Sequence, residues 1–265
     1  MISVSIVTYH SDTSELDACL ASIGNPLVKK ITIVDNGQEE RLRKYCLGKP
    51  GVDYISLPNP GFGAAHNRAL LSSDQPYHII LNSDVRFNPD ILTKLADCMQ
   101  RNPDVAQLQP KIYKADGSLQ YGSRRLPSPW MLIGRRFLPE WIMKYSNRRY
   151  LLMDKDLDFP LNVPYQVGCF MMIRTAAAKA IGGFDERFFM YPEDIDLSRR
   201  LRQDHIVLYY PAVSIIHAHA AASYRNLRML RIHADNMIRY FRKWGVWSDR
   251  QRRQFNGDVN SVTLL

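Results

Sequence analysis

"ISVSIVTYHSDTSELDACLASIGNPLVKKITIVDN", residues 2–36, decides the fold. Its two ends, "ISVSIVT" (2–8) and "KITIVDN" (30–36), are apolar, β-branched runs of strand length. Between them "TSELDACLASI" (13–23) sets Leu16, Leu20 and Ile23 on one helical stripe. Strand, helix and strand in so short a span form a βαβ unit, whose strands pair in parallel across the helical crossover.

The same rhythm continues downstream. "QEERLRKYC" (38–46) reads as a polar helix, "VDYISL" (52–57) as a third strand and "GAAHNRALLSS" (63–73) as a helix entered through glycines. "YHIILNSD" (77–84) is a fourth strand, "PDILTKLADCMQ" a helix opened by Pro89, and "VAQLQP" (105–110) a fifth strand. Alternation of this kind predicts an α/β fold with a mostly parallel sheet and helices on both faces. After residue 110 the pattern breaks. Asp116-Gly117 in "KIYKADGSLQYG" signals a hairpin, and residues 126–162 show no clean period. "PYQVGCFMMIR" (164–174) reads as one strand, "TAAAKAIGG" as a helix capped by Thr175 and ended by Gly182 or Gly183, and "HIVLYYPAVSIIHAH" (205–219) as a strand pair. "LRMLRIHADNMIRYFRKW" (227–244) is a long basic amphipathic helix.

With 35 Lys and Arg against 26 Asp and Glu, the chain carries a formal charge of +9, which favours an anionic partner. Cys19, Cys46, Cys98 and Cys169 lie far apart with no CxxC pair, so neither a disulfide framework nor a zinc knuckle is expected. "ISVSIVTYH" has no basic leader, so no signal peptide is expected, and no apolar run reaches the roughly 18 residues of a membrane span. No RNP, helix-turn-helix or zinc-finger signature accompanies the charge, so nucleic acid is not an expected partner.

Open parallel sheets bind ligands beyond the carboxyl ends of their strands. The residues that follow the strands here are polar: Thr8, Tyr9 and His10; Asp35 and Asn36; Asn59, Gly61 and Gly63; Asn82, Ser83 and Asp84. All four sets should face one crevice. Asp35 either accepts from a nucleobase or ribose or forms a turn cap. "NPGFGAAHN" is glycine-rich without being GxGxxG, and Asn67 and Arg68 on its helix either meet a phosphate or lie on a solvated face. Asp84 can hold Mg²⁺ or Mn²⁺ if a diphosphate supplies further oxygens, or it can cap "NPD". His217 and His219, two apart on a strand, share a face, and either completes such a site or packs as a core histidine. In "FFMYPEDIDLSRRL" (188–201), Glu193, Asp194 and Asp196 suit the start of a helix opened by Pro192. The aromatic wall around them also suits a carboxylate with a raised pKa, ready for work as a base.

Together these segments resemble the family 2 inverting glycosyltransferases of the GT-A fold, and within them bacterial rhamnosyltransferase-like members, over about residues 2–245. The resemblance rests on "SIVTYH", "ITIVDNG", "NPGFGAAHNRAL", "LNSDV" and above all "VGCFMMIRTAAAKAIGGFDERFFMYPEDIDLSRRL". It implies one domain over 1–245: a nucleotide-sugar-binding half (1–110), an acceptor and catalytic half (111–223) and a basic helix (224–245), followed by a tail (246–265). It further implies that Thr8, Tyr9, Asp35, Asn36, Asn59, Gly61, Gly63, Asn67, Arg68, Asn82 and Ser83 bind the nucleotide-sugar, with Asp35 on the base. Asp84 and His217 would hold Mg²⁺ or Mn²⁺, Asp194 would be the catalytic base, and Glu193, Gly168, Tyr191 and Arg124 would line the acceptor pocket. Arg68 and the arginines after Ser223 would screen the diphosphate. Two departures stand out: "NSD" carries one carboxylate where the family's metal motif has two, and "HAHAAAS" replaces glycines, leaving His219 open beside His217. The retained Asp84, Asp194 and His217 argue against a non-catalytic nucleotide-sugar sensor.

The implied donor is dTDP-L-rhamnose or a UDP-hexose, and the implied acceptor a saccharide on a polyprenyl diphosphate. Residues 124–150 interleave Arg and Lys with Trp130, Phe137, Trp141 and Tyr145, a mix that suits either an anionic membrane surface or a loop covering the acceptor. The C-terminal helix could serve the membrane too, or pack a homodimer. The implied location is cytoplasmic, peripheral at the cytosolic face of a bacterial inner membrane.

Overall fold

The computed structural model describes residues 1–218 and 227–265. His219, Ser223 and Arg225 lie outside the described residues. The chain runs β1 (Ile2–Thr8), α1 (Thr13–Ser22), β2 (Val28–Asp35), α2 (Glu40–Leu47), β3 (Val52–Ser56), α3 (Phe62–Leu70), β4 (Tyr77–Asn82), β5 (Val85–Arg86), α4 (Ile91–Arg101) and β6 (Val105–Lys114). Then come β7 (Leu119–Gln120), β8 (Ser123–Arg124), α5 (Pro129–Phe137), α6 (Glu140–Tyr150), β9 (Leu161–Asn162), β10 (Tyr165–Gln166), β11 (Phe170–Arg174) and α7 (Thr175–Ala180). The last elements are α8 (Glu193–Leu201), β12 (Ile206–His217), α9 (Leu227–Trp244), α10 (Arg250–Gly257) and β13 (Asn260–Ser261).

The expected α/β architecture is present. The main sheet runs β3-β2-β1-β4-β11-β6-β12-β9-β13, with β5 on β12 and β7 on β6. Strands β3, β2, β1 and β4 are mutually parallel, β6 is parallel to β12, and β11 lies antiparallel between β4 and β6. Burial on both faces follows from strand alternation. Ile79, Leu81, Phe170 and Met172 join a core with Leu16 of α1, Leu42 of α2 and Leu95 of α4. Their neighbours Ile80, Met171 and Ile173 face the other way, onto Leu70, Ala178, Leu197 and Leu201 of α3, α7 and α8. A third cluster joins Met131, Met143, Ile195, Tyr240 and Phe255, uniting α5, α6, α8, α9 and α10.

Several local readings change. "HIVLYYPAVSIIHAH" is no strand pair over its described residues. It forms the single strand β12, whose pairing with β6 slips between Tyr210 and Ser214, where Pro211 cannot donate to the ladder. "PYQVGCFMMIR" divides into β10 and β11, because Val167 and Gly168 leave the main sheet toward Gly122 and Asp194. Thr175 is the first helical residue of α7 rather than its cap, whereas Gly182 and Gly183 do end it: both have positive φ, and their amides bond Lys179 O and Ala178 O. Residues 126–162 hold two helices, α5 and α6. Residues 246–265, expected as a tail, carry α10 and β13, and β13 pairs with β9 at the sheet edge.

Candidate active site

The strand register brings the predicted polar ends together. Thr8 faces Asp35 across β1–β2, and Val7 faces Asn82 across β1–β4. Asn36 donates its amide to Thr8 O (2.9 Å) and Nδ2 to Gly61 O (3.4 Å), while its buried Oδ1 has no hydrogen-bond partner among the described residues. Asp35 is fully buried, and its carboxylate accepts from Gly37 N, Glu39 N and Tyr54 OH, each at 2.7 Å. The turn-cap geometry is therefore present, and a base would have to share an already hydrogen-bonded carboxylate. Tyr9 is exposed, and Asn59 holds a left-handed φ of 49°. Gly61, at φ 105°, lies so close to the 184–191 loop that a Cβ would stand 2.4 Å from Phe189 O. Gly63 meets Phe184 in the same way at 2.9 Å.

Two of the expected donor residues lie on α3. The side-chain amide of Asn67 donates to Phe184 O (2.9 Å) and Glu186 (3.0 Å) and accepts from Phe184 N (2.8 Å), clamping α3 to "GGFDE". Arg68 lies exposed on α3.

Asp84 and His217 meet because β5 pairs with β12: His217 faces Val85, and Ala218 N donates to Asp84 O. Asp84 Oδ1 and His217 Nε2 lie 3.3 Å apart, both largely buried. Nδ1 of His217 is 3.1 Å from Gln120 Oε1, which can only accept there. With Nδ1 turned to Gln120, Nε2 is the ring nitrogen left facing a metal ion beside Asp84. Two adjacent ligands of a six-coordinate ion with bonds of about 2.1 Å stand about 3 Å apart, so this pair fits Mg²⁺ or Mn²⁺. Asn82 and Ser83 border it, half-buried. No third His, Cys, Asp or Glu joins the pair among the described residues.

Asp194 opens α8. Its Oδ2 accepts from Gly168 N (3.0 Å) and its Oδ1 from Ile195 N (2.7 Å). Burial pushes its carboxyl up to about 6, against the downward pull of those amides and of the Arg124 charge. Glu193 is buried, with Oε2 lacking a hydrogen-bond partner among the described residues; burial, and then the charge of Asp194, hold its pKa well above the usual carboxylate range. Adjacent carboxyls are thus driven apart, one neutral and one available as a base near neutral pH. Gly168 leaves the turn close to the Phe62 ring, which a Cβ there would meet at 3.1 Å. Tyr191 holds φ 87°, strained for an aromatic residue, and stacks on His233 at 4.5 Å. Arg124 is fixed by its bond to Tyr121 O (2.7 Å) and by the register that sets it opposite Tyr165. The segment 168–169 links the base to the metal pair: Gly168 N donates to Asp194, and Cys169 O accepts from Asn82 N (2.9 Å), two residues before Asp84. Burial pushes the Cys169 thiol up to about 12, helped by the charges of Asp84 and, more weakly, Asp194.

A model of the family described as "Glycosyl transferase family 2" matches residues 3–182. The chain belongs to glycosyl transferase family 2. It is an inverting glycosyltransferase. An N-acetylglucosaminyl-diphospho-decaprenol L-rhamnosyltransferase of Mycobacterium tuberculosis is 28% identical over 249 residues, 85% of this chain and 78% of that protein. Rhamnosyltransferase WbbL of Escherichia coli is 27% identical over 234 residues, covering 83% of this chain and 85% of WbbL. Among solved structures, GalNAc-T7 with UDP, GalNAc and Mn²⁺ superposes with a TM-score of 0.68 at 16% identity, over 96% of this chain and 50% of that one. This glycosyltransferase thus spans half the length of that neighbour. The mannosyltransferase PcManGT of Pyrobaculum calidifontis, with GDP-Man and Mn²⁺, has a TM-score of 0.59 at 16% identity, over 91% of this chain and 63% of that one.

Sequence reading missed two supports of the glycosyltransferase site, Gln120 and Arg199. Gln120, which faces His217 Nδ1, is 97 residues away in sequence and sits in an unremarkable hairpin. Arg199 of α8, fully buried, binds Asp249 through both nitrogens (2.8 and 2.5 Å), donates to Tyr240 OH and lies 4.1 Å from the Trp244 ring. Asp196, completely buried, takes Arg200 (2.7 Å), Trp244 Nε1 (2.8 Å) and Lys243 (2.6 Å), which makes it structural, as its angular offset of about 200° from Asp194 implies. An interleaved Arg and Asp pattern at helix ends was the sole available signal.

Proposed function

We propose that this glycosyltransferase moves L-rhamnose from dTDP-L-rhamnose onto a saccharide carried by a polyprenyl diphosphate, with Asp194 as base and Mg²⁺ or Mn²⁺ held by Asp84 and His217. One observation carries the reading: near Cys169 an Asp–His pair of metal-ligand separation accompanies a carboxylate pinned by two amides and pushed up to about 6. The two rhamnosyltransferase relatives support the donor, and the decaprenol-linked diphosphate in the name of the mycobacterial one supports the lipid-linked acceptor. The Mn²⁺ in two structural neighbours supports the metal.

Bound there, the cation would act as a Lewis acid on the diphosphate leaving group. The protein's own residues do the rest. The 35–36 and 59–63 turns enclose the nucleotide, with Asn36 Oδ1 open to a donor group. Each Asp194 oxygen accepts one backbone hydrogen bond and keeps a lone pair, so the carboxylate can take the acceptor hydroxyl's proton without moving. Attack by that hydroxyl from the face opposite the leaving group inverts the anomeric centre, as water does in inverting hydrolases. Glu193, neutral, donates a hydrogen bond in the acceptor pocket, and Arg124 holds a positive charge beside it.

For the acceptor to arrive on lipid, the enzyme must meet a membrane. No described helix is long and apolar enough to cross one. Helices α5 and α6 instead display Trp130, Ile133, Phe137, Trp141 and Tyr145, with Phe137 and Trp141 each 76% exposed, among Arg135, Lys144, Arg148 and Arg149. This face suits an anionic bilayer surface, cytosolic in a bacterium, better than a homodimer, because basic residues interrupt it throughout. Mass-spectrometric detection of product across dTDP-L-rhamnose and UDP-hexose donors, with a prenyl-diphosphate N-acetylglucosamine acceptor, tests the reaction. Transfer from a UDP-hexose alone would refute the rhamnosyl assignment. Failure to float with phosphatidylglycerol vesicles would refute the membrane face.

A further inference from the structure

Gln107 and Gln109 lie two apart on β6 and are wholly buried, which is uncommon for so polar a side chain. Both reach the segment 166–170, which connects β10 to β11. Gln107 Nε2 donates to Gln166 Oε1 and to Ser198 Oγ of α8, each at 3.0 Å. Gln109 Nε2 donates to Val167 O and Phe170 O, each at 2.7 Å, and so spans Gly168 and Cys169. The β11–β6 ladder pairs Ile173 with Gln107 and Met172 with Leu108 and goes no further, so past that point the Gln109 side chain takes the place of a ladder bond. It is closely seated, since a Cβ on Gly122 would stand 2.7 Å from Gln109 Oε1. That oxygen has no hydrogen-bond partner among the described residues, which costs stability. An apolar residue would remove the cost but leave both carbonyls without this donor.

The two spanned residues touch both halves of the site. Gly168 N donates to Asp194 Oδ2 (3.0 Å), and Cys169 O accepts from Asn82 N (2.9 Å) at the end of β4. Glycine has no side chain to restrict its own backbone. With the carbonyls before and after the pair held by one planar amide, the Gly168 peptide is held in orientation, and with it the N–H that meets the base. We propose that Gln109 is a positioning residue: it holds 167–170 so that Gly168 N stays on Asp194, which fixes the base relative to the end of β4. It acts through Gly168 and not on the substrate. This inference rests on the reading of Asp194 as the base.

The test compares wild type with Gln109→Met, which keeps the length of the side chain and loses both donated bonds. Gln107→Met is the control, an equally buried glutamine on the same segment that does not span Gly168. The first readout is the Asp194 carboxyl, titrated by carbon-13 NMR of the full chain without substrate. The Gly168 amide holds that carboxyl down, so in Gln109→Met it should rise above about 6, by roughly half a pH unit or more. In Gln107→Met it should stay in place. The other groups that face Asp194, namely Arg124 of β8, Tyr165 of β10, Glu193 of α8 and Cys169, are the same in all the proteins compared. The second readout is transfer from dTDP-L-rhamnose to a prenyl-diphosphate N-acetylglucosamine. Gln109→Met should lower kcat about tenfold to a hundredfold, with KM for the donor unchanged. Gln109→Glu, of the same shape and able to donate once when protonated, should recover part of kcat. An unmoved carboxyl in folded Gln109→Met, or equal effects of Gln109→Met and Gln107→Met, overturns the proposal. If neither Gln109 variant folds, wild type decides: the Gln109 Nε2 protons should be protected from hydrogen exchange, and exchange at the free-amide rate overturns it. If Asp194→Asn turns over like wild type while the Asp194 carboxyl still rises in Gln109→Met, the base assignment falls and the positioning of Gly168 stands.

Discussion

Replacing Asp194 with Asn should make the enzyme inactive and, at neutral pH, more stable. Burial holds the Asp194 carboxyl at about 6 in the fold, against an ordinary 3.8. That difference, about two pH units at roughly 1.4 kcal/mol each, means that ionising Asp194 costs the folded state about 3 kcal/mol. The sign follows from a raised folded pKa: the favourable contribution of the neutral form is complete below pH 3.8 and is lost as pH rises through 6. Asn is neutral throughout but offers one acceptor oxygen where two are used, so either Gly168 N or Ile195 N loses its partner. That loss costs about 1–1.5 kcal/mol, leaving a net gain of about 1–2 kcal/mol at pH 7.5. For a chain of this size the gain is worth roughly 3–6 °C in Tm. Thermal melts of both proteins from pH 4 to 8 should show the Asn variant's advantage growing between pH 4 and 6 and levelling above 7. Transfer should fall about 10²–10⁴-fold for loss of a general base, with donor affinity in Mn²⁺ unchanged. Wild-type kcat/KM should show an acid limb near pH 6. A variant that is less stable than wild type at pH 7.5, or that turns over like wild type, would refute the assignment of a buried, ionised base.

Gln120→Leu should free the His217 ring and weaken Mn²⁺-dependent donor binding about 10–100-fold, measured by calorimetry, with little change in Tm. Arg124→Gln removes a charge that lowers the Asp194 pKa, so the acid limb of kcat/KM should move above 6; an unmoved limb counts against the pairing. Asp249→Ala leaves the buried Arg199 without its carboxylate, and urea unfolding should show a loss of about 3–5 kcal/mol. Gly61→Ala forces a Cβ against Phe189 O at a positive φ, and should lower stability by about 2 kcal/mol or more while weakening nucleotide binding.

The first 110 residues were legible because their signals are local. Strand runs such as "IIL" and helix stripes such as Leu16, Leu20 and Ile23 repeat at the period of the element they form, and parallel pairing follows from their alternation. The placing of Asp84, Asp194 and His217 was legible because each stands beside the end or start of such an element. Residues 126–162 were not, since α5 and α6 turn aromatic side chains outward and so carry no single buried stripe. Residues 246–265 looked like a tail for a related reason: their hold on the body is Asp249 on Arg199, Asn256 on Leu126 and Val259 in the core, partners 50 to 130 positions away.

By itself, then, the sequence determined the α/β alternation, the set of polar strand ends and the placing of Asp194 at a helix start, because periodicity and capping act over a few residues. Only the tertiary structure decided which side chains are free to act. Burial separated Glu193 from Asp194 in acidity, and β5–β12 pairing brought His217 to Asp84. The same contacts committed Asn67 to the 183–186 loop. Each of those outcomes depends on desolvation or on a partner remote in sequence, and neither quantity is written in local order.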